Sequence, residues 1–230
     1  MSSALLMSLP GVANSAGPSR RTINFSGYKW SVKTSRVPIA PGPNRFSSAK
    51  DAVFVDAEGR LHLRITGPRQ QPRSVELIGS EPLGYGTYTW VIDSPVTDLD
   101  PNLVLGLFTW NDNPAFSNRE IDIEYARWGN PRRRTNAQFL VQPDTGAGNL
   151  QRVTQPGSPH TVGFTWSPFR VDFFSPGATP PTWSRARVVP PGGAHPRINL
   201  WLYRGRSPGN GHVTEVVLRS FSFTPAGRSR

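Results

Sequence analysis

Acidic residues alternate with apolar residues in one short segment of the chain. Glu120, Asp122 and Glu124 are separated by Ile121 and Ile123. Because the side chains of a β-strand alternate between its two faces, a strand here places the carboxyl groups on one face and the isoleucines on the other. The apolar face belongs in a core, so the acidic face is predicted to look at water or into a cleft.

This acidic face lowers the stability of the strand, since neighbouring carboxylates repel and Asp and Glu are poor strand formers. The repulsion raises the pKa of at least one carboxyl group, which suits a general acid working near neutral pH. Two carboxyl groups about 5–5.5 Å apart are also what retaining glycosidases use as nucleophile and acid/base. The alternatives are a solubilising surface strand, a charged edge strand and a Ca²⁺ site.

A flat strand would hold the two glutamates too far apart for this chemistry. Residues four positions apart have Cα atoms about 13 Å apart, given a rise of about 3.3 Å per residue. On a concave face, the long side chains of Glu120 and Glu124 lean toward each other. The segment therefore predicts a curved sheet with a groove along its concave side.

The rest of the chain indicates an all-β fold. The 230 residues include 24 Pro and 22 Gly, which suit short strands joined by turns, and no long stretch has helical periodicity. Strand–helix alternation is missing, so a sandwich or barrel is expected instead of a parallel sheet. The predicted strands are Ala52–Val55, Leu61–Ile65, Ser74–Ile78, Gly86–Ile92, Leu103–Trp110, Glu120–Tyr125, Ala137–Val141, Thr161–Trp166, Arg170–Phe174, Ile198–Tyr203 and Val213–Phe223, the last with a break.

The N-terminal residues have the character of a secretory signal. A short apolar run, Ala4–Met7, precedes small residues at 13–15. We expect residues 1–17 to be a signal remnant or a disordered tail, residues 18–230 to form one domain, and the protein to be secreted or periplasmic. Cysteine is absent, but a domain of this size does not need disulfides. No stretch is long and apolar enough to span a bilayer, so no membrane partner is expected.

The formal net charge is +11, and all but three of the 26 basic residues are arginine. One interpretation is attraction to a polyanion such as nucleic acid or an acidic polysaccharide. The arginines are scattered except at Arg20–Arg21 and Arg132–Arg134, which favours a solvated surface and an arginine-rich codon usage. The best-marked site is acidic and would repel phosphate, so no nucleic-acid partner is expected.

The carboxylate segment resembles the catalytic motif of glycoside hydrolase family 16, which has a concanavalin-like β-jelly-roll fold. The single residue between Asp122 and Glu124 is similar to the regular-strand branch, which includes lichenases and transglycosylases. The resemblance runs from about Phe25 to Phe223. Further segments that resemble the family's strands, in the family's order, are Gly84–Tyr88, Leu103–Trp110, Asn136–Phe139, His160–Phe174 and Arg197–Trp201.

This resemblance implies a β-jelly-roll sandwich of two curved antiparallel sheets with a concave cleft. It implies Glu120 as nucleophile, Asp122 as the residue that tunes it and Glu124 as acid/base. The implied activity is retaining, endo-acting hydrolysis or transglycosylation of β-linked polysaccharide, with β-1,3/1,4-glucan preferred over sulfated galactan. A non-catalytic carbohydrate-binding sandwich is the other alternative. The family's Ca²⁺-binding Asp corresponds to Leu218, so we expect no such metal site. We also expect no cofactor and a monomer.

Aromatic faces and amide groups are expected to bind the sugar. Trp110 and Trp128 flank the carboxylate segment and are the first candidates for stacking. Asn136 and Gln138 lie in the opposite phase to the apolar residues of their strand and are candidate hydrogen-bonding groups. Less favoured stacking candidates are Trp30, Trp183 and Trp201.

The histidines offer no catalytic or metal site in the sequence. His160 opens a predicted strand after a turn, so a structural role is expected for it. The spacing of the other histidines does not match a metal-ligand pattern; they are His62, His195 and His212.

Overall fold

The computed structural model describes residues 21–116, 119–186, 193–209 and 214–227. The predicted signal-like segment 1–17, His212 and the first residue of the last predicted strand, Val213, lie outside these ranges. Within them the regular structure consists of strands and short 3-10 helices, and none of these helices has the length and apolar character needed to cross a membrane. The all-β prediction is confirmed.

The described strands form a nine-stranded and a seven-stranded sheet. In spatial order, the nine-stranded sheet contains β1 (Thr22–Phe25), β2 (Tyr28–Val32), β6 (Arg73–Gly79), β15 (His195–Leu202), β8 (Leu103–Trp110), β9 (Ile121–Ala126), β10 (Ala137–Val141) and β11 (Leu150–Val153), with β3 (Arg45–Phe46) beside β6. The seven-stranded sheet contains β14 (Thr182–Ala186), β13 (Arg170–Phe174), β12 (His160–Trp166), β7 (Gly86–Ile92), β16 (Glu215–Pro225), β5 (Leu61–Arg64) and β4 (Val53–Val55). Neighbouring strands are antiparallel, apart from the two-residue parallel pairing of β3 with β6.

Aromatic side chains join the two sheets into a sandwich. Trp30 of β2 meets Phe221 of β16 edge to face, with ring centroids 5.3 Å apart. Phe139 of β10 stacks on Phe173 of β13 at 5.0 Å. These four rings are at most 2% exposed, and aromatic residues buried in this way dominate core energetics. The jelly-roll prediction is confirmed, but the proposed stacking role of Trp30 is wrong because the ring is fully buried.

Most of the predicted strands are confirmed within a few residues, and β7, β8, β10 and β13 have the predicted bounds. The predicted break in the last strand is a register shift between Leu218 and Ser220. Five strands were not predicted: β1, β2, β3, β11 and β14. The first two form a hairpin through Ser26 and Gly27, whose φ angles are 54° and 81°. Two-residue hairpin turns of this kind need positive φ at both positions, so the dipeptide Ser26-Gly27 is the sequence signal for the hairpin.

Strand β9 holds Asp122 and Glu124, and Glu120 directly precedes it. The strand lies in the interior of the nine-stranded sheet, paired with β8 on one side and β10 on the other. Ile121, Ile123 and Tyr125 are at most 1% exposed and belong to the main core. Because side chains alternate along the strand, the acidic residues point to the opposite face of this sheet. The predicted division of the segment into an apolar and an acidic face is confirmed.

Candidate active site

A cavity of about 430 Å³ lies on the face of the nine-stranded sheet opposite to the core. Strands β6, β8, β9 and β15 form its floor, and the segments after β2 and β8 complete its wall. All three predicted catalytic side chains line it. The complete lining is Lys33, Ile39, Ala40, Pro41, Glu76, Gly106, Phe108, Trp110, Asp112, Glu120, Asp122, Glu124, Arg197, Asn199 and Trp201. The predicted cleft above the acidic face of β9 is therefore present.

The carboxyl groups of Glu120, Asp122 and Glu124 all have raised pKa values, because they are buried close together in the cleft. Burial raises the pKa of Glu120 to about 7, against a hydrogen bond from Asp122 and the charge of Arg197, which lower it. Burial is the largest cause that raises the pKa of Asp122 well above its ordinary value, and the charges of Glu120 and Glu124 add to it. The hydrogen bond between Glu120 and Asp122 lowers the pKa of Glu120 and raises that of Asp122, as expected when a protonated Asp122 donates to an ionised Glu120.

The third carboxyl group, Glu124, has a different set of partners. Burial and the charge of Glu120 raise its pKa to about 7, against the hydrogen bond from Gln138 and the charge of Arg152, which lower it. The amide Nε2 of Gln138 donates a hydrogen bond to Oε2 of Glu124. Gln138 is the direct partner of Glu124 across the β9–β10 pairing, and Arg152 is the direct partner of Gln138 across the β10–β11 pairing. The side chain of Arg152 donates to Oε1 of Gln138, so the three side chains form a row across three strands.

A buried ion cluster lies on the Glu120 side of the cavity. Arg197 contacts Oε1 of Glu76 through Nη1 at 3.0 Å and Oδ1 of Asp112 through Nη2 at 2.7 Å. Lys33 binds the other carboxylate oxygen of Glu76 at 2.9 Å. Glu76 is 1% exposed and Arg197 is 5% exposed. Pairing of this kind is required because an unpaired charge at such a depth is strongly unfavourable.

The alternation of residue types along β6 and β15 marks this cluster in the sequence. Val75 and Leu77 of β6 are core residues, and Glu76 stands between them in the opposite phase. Arg197 and Asn199 alternate in the same way with Ile198 and other apolar residues of β15. A charged residue inside an otherwise apolar strand, in the cleft-facing phase, therefore marks a candidate cleft residue.

Gly106 leaves room beside the acidic strand. It lies opposite Glu124 on β9 and opposite Asn199 on β15. A Cβ atom at this position would come within 2.4 Å of Oδ1 of Asn199, so the glycine permits the amide to lie flat against the cavity floor. Oδ1 of Asn199 is buried and has no hydrogen-bond partner among the described residues. Since an unpaired buried acceptor is costly, this oxygen is well suited to accept from a ligand hydroxyl.

Two of the tryptophans predicted to stack on sugar line the cavity, and Trp128 lies behind one of them. Trp110 lines the cavity and donates its indole N–H to Asp112 at 3.1 Å. Trp201 also lines the cavity. Trp128 is not in the lining, but its ring meets that of Trp201 edge to face, with centroids 6.3 Å apart. The backbone of Trp128 has a φ of 54°, a conformation that costs a non-glycine residue about 1–2 kcal/mol.

Two other predicted site residues, Asn136 and Trp183, make contacts that support the fold. Asn136 is 4% exposed, and its side-chain amide donates to and accepts from the backbone of Gln155 at 2.9 and 2.8 Å. It is absent from the cavity lining, so its amide has a structural role in this arrangement. Trp183 packs against Phe173 at 5.2 Å in the seven-stranded sheet, away from the cleft.

His160 is buried against the hydroxyl of Tyr125, at 2.9 Å. Burial lowers the pKa of His160 to about 4, so the ring is neutral at physiological pH. The structural role predicted for His160 agrees with this position inside the sandwich.

The fold and the site define a jelly-roll sandwich with a row of carboxyl groups in a cleft on one sheet. Solved structures of the same architecture include a β-glucanase of Bacillus licheniformis, with a TM-score of 0.64 and 19% identity over 85% of this chain and 94% of that chain. A β-1,3-glucanase of Mycobacterium marinum matches with a TM-score of 0.67 and 18% identity over 91% and 100% of the two chains. This chain therefore has the fold of these β-glucanases.

The same fold is also found in a protein described as an immunostimulatory antigen and pseudo β-1,3-glucanase of Mycobacterium tuberculosis. Its TM-score is 0.69, with 23% identity over 86% of this chain and 91% of that chain. The fold thus carries both glucanases and a pseudo-glucanase, so the chemistry has to be argued from the residues of the site. No protein-family model matches the chain, and no curated protein sequence matches it.

Proposed function

We propose that this protein is a retaining, endo-acting glycoside hydrolase or transglycosylase of the family 16 type, acting on β-linked glucan. The observation that carries the proposal is the row of Glu120, Asp122 and Glu124 in one cleft, with two of the three pKa values raised to about 7. Carboxyl groups with raised pKa values in a desolvated cleft are what glycosidic bond cleavage requires.

In the first step, ionised Glu120 attacks the anomeric carbon while protonated Glu124 gives its proton to the departing glycosidic oxygen. The products are a glycosyl ester on Glu120 and the released chain end. In the second step, Glu124 takes a proton from water, or from an acceptor hydroxyl, as the oxygen attacks the same carbon and frees Glu120. The hydrogen bond from Asp122 and the charge of Arg197 favour the ionised nucleophile.

The electrostatics of the cleft support the change of role that Glu124 undergoes between the steps. The charge of Glu120 contributes to the raised pKa of Glu124. When Glu120 becomes a neutral ester, that repulsion disappears and the pKa of Glu124 falls. The same carboxyl group is then an acid in the first step and a base in the second.

The charges around the cavity favour a neutral polymer. The lining contains five carboxyl side chains and two basic side chains, Lys33 and Arg197, and both basic groups are already bound by Glu76 or Asp112. The arginines of segment 132–134 are not among the lining residues. Sulfate or phosphate groups would meet net repulsion here, so glucan is favoured over sulfated galactan and over nucleic acid.

A polysaccharide panel tests the proposed activity. We expect soluble oligosaccharides from mixed-linkage glucan and none from carrageenan, because the acidic cleft repels sulfate groups and suits a neutral chain. Agarose is a neutral galactan, so it tests the sugar and not the charge. Laminarin and xyloglucan complete the panel, with released reducing ends as the measurement. Release from carrageenan alone would show that the polymer class is wrong. Binding to glucan with no release would favour a non-catalytic carbohydrate-binding sandwich.

The stereochemistry of the product is a separate test. With Glu120 as nucleophile, two displacements occur at the anomeric carbon, so the first product should carry the β configuration. Proton NMR of the reaction in its first minutes, before mutarotation, distinguishes the anomers. An initial α-anomer would mean a single displacement by water and would contradict the assignment of Glu120.

A further inference from the structure

We propose that Arg152 is a positioning residue for the acid/base, because it holds the amide of Gln138 in the one orientation that donates a hydrogen bond to Glu124. The inference rests on the proposed function, since Glu124 has to act as acid and base for its orientation to matter. Arg152 is not among the residues that line the cavity, so it acts through Gln138 and not on the substrate.

The geometry fixes which end of the amide faces each neighbour. An arginine side chain has only hydrogen-bond donors, so the Gln138 atom that faces Arg152 has to be the oxygen Oε1. The amide nitrogen is then directed at Glu124. Gln138 is 4% exposed, so water does not compete for either end. Without Arg152, the amide could turn over and present its oxygen to a protonated Glu124.

Arg152 is itself held in place. Its guanidinium lies 5.7 Å from the ring centroid of Trp128, within the range of cation–π attraction. Trp128 in turn contacts Tyr203 edge to face at 5.6 Å. The side chain of Arg152 is therefore braced by an aromatic group on one side and by Gln138 on the other.

The charged groups that face Glu124 come from three directions. Glu120 and Asp122 lie on its own strand, Asp144 lies beyond β10, and Arg152 lies on β11. The carboxylates favour the protonated form of Glu124, and Arg152 opposes them. Loss of Arg152 therefore raises the pKa of Glu124 further, so the acid stays protonated to higher pH and the alkaline limb of kcat/KM moves upward.

The test compares wild type with Arg152→Met. We expect the alkaline limb of kcat/KM on the preferred glucan to move up by about one pH unit. The ¹³C NMR titration of the Glu124 carboxyl, assigned with Glu124→Gln, should move in the same direction. Gln138→Leu breaks the row at its middle member and should give the same shift, whereas Arg152→Lys keeps the charge and should restore most of the wild-type profile.

Arg133→Gln is the matched control. Burial lowers the pKa of Arg152, and the charge of Arg133 lowers it further, so Arg133 is a cation close to Arg152. The hydrogen bond to Oε1 of Gln138 comes from Arg152. Its removal should leave the alkaline limb in place. A uniform loss of activity without a shift in Arg152→Met, or an equal shift in Arg133→Gln, overturns the proposal. The NMR titration needs no turnover, so an inactive wild-type protein would refute the proposed function while leaving this result readable.

Discussion

Replacing Glu120 with glutamine should reduce turnover by roughly 10⁴-fold or more, the scale on which loss of a nucleophile acts in other hydrolases. The amide keeps the size and hydrogen-bonding reach of the side chain but cannot attack the anomeric carbon. Initial rates of reducing-end release on the preferred glucan measure the loss. Turnover within tenfold of wild type would contradict the assignment of Glu120 as nucleophile.

The same substitution should not destabilise the fold. The pKa of Glu120 is raised to about 7, so the folded state binds the proton more tightly than the unfolded state does. Stability then falls as pH rises from the unfolded pKa toward 7, and glutamine removes that loss. We expect Glu120→Gln to be the more stable protein at pH 8, by about 1 kcal/mol or more. Glu58→Gln, at an exposed acid remote from the cleft, is the control and should change neither quantity.

Glu124→Ala should slow hydrolysis of the polymer by about 10²–10⁴-fold, the usual contribution of general acid–base catalysis. Both steps lose their proton transfer. With an aryl glycoside, whose leaving group needs no proton, the first step should still proceed and the ester on Glu120 should accumulate. Azide can attack that ester without a base, so added azide should restore turnover and give the β-glycosyl azide, identified by NMR.

Glu120→Gln provides the matching control for this rescue. It has no nucleophile and forms no glycosyl ester, so azide should not yield a β-glycosyl azide with this variant. Absence of rescue in Glu124→Ala, with the protein folded, would show that Glu124 is not the acid/base. The two variants together therefore assign the two glutamates separately.

Much of this site could be predicted from local alternation. The phase of Ile121 and Ile123 determines the face on which the acids lie, and the structure has that face in the cleft. The same reasoning predicts Phe139 in the core and Gln138 on the other face, and the structure adds the hydrogen bond from Gln138 to Glu124. Alternation works here because one face of each strand packs into a continuous core.

The missing parts depend on pairings between distant segments. Arg197 and Glu76 lie 121 positions apart in the chain, and no local pattern shows that β6 and β15 are neighbours. Asn136 has the same phase as Gln138, yet both polar atoms of its side-chain amide are hydrogen-bonded to the backbone of Gln155. Its phase alone therefore did not distinguish it from a cleft residue. The edge strands β11 and β14 carry polar side chains on both faces, so apolar alternation did not reveal them.

The ion cluster around Glu76 has a consequence for how such a cleft can diversify. Removing one partner of a buried ion pair leaves an uncompensated charge, at a cost of about 3–5 kcal/mol. That is a large part of the stability of an ordinary domain. Lys33, Glu76 and Arg197 therefore constrain one another, and single replacements along an evolutionary path would be purged before any benefit in sugar recognition could be selected. A new specificity at this end of the cleft therefore requires that the ion-paired residues are replaced together. The other route is a protein already stabilised by substitutions elsewhere, which tolerates the loss of one partner.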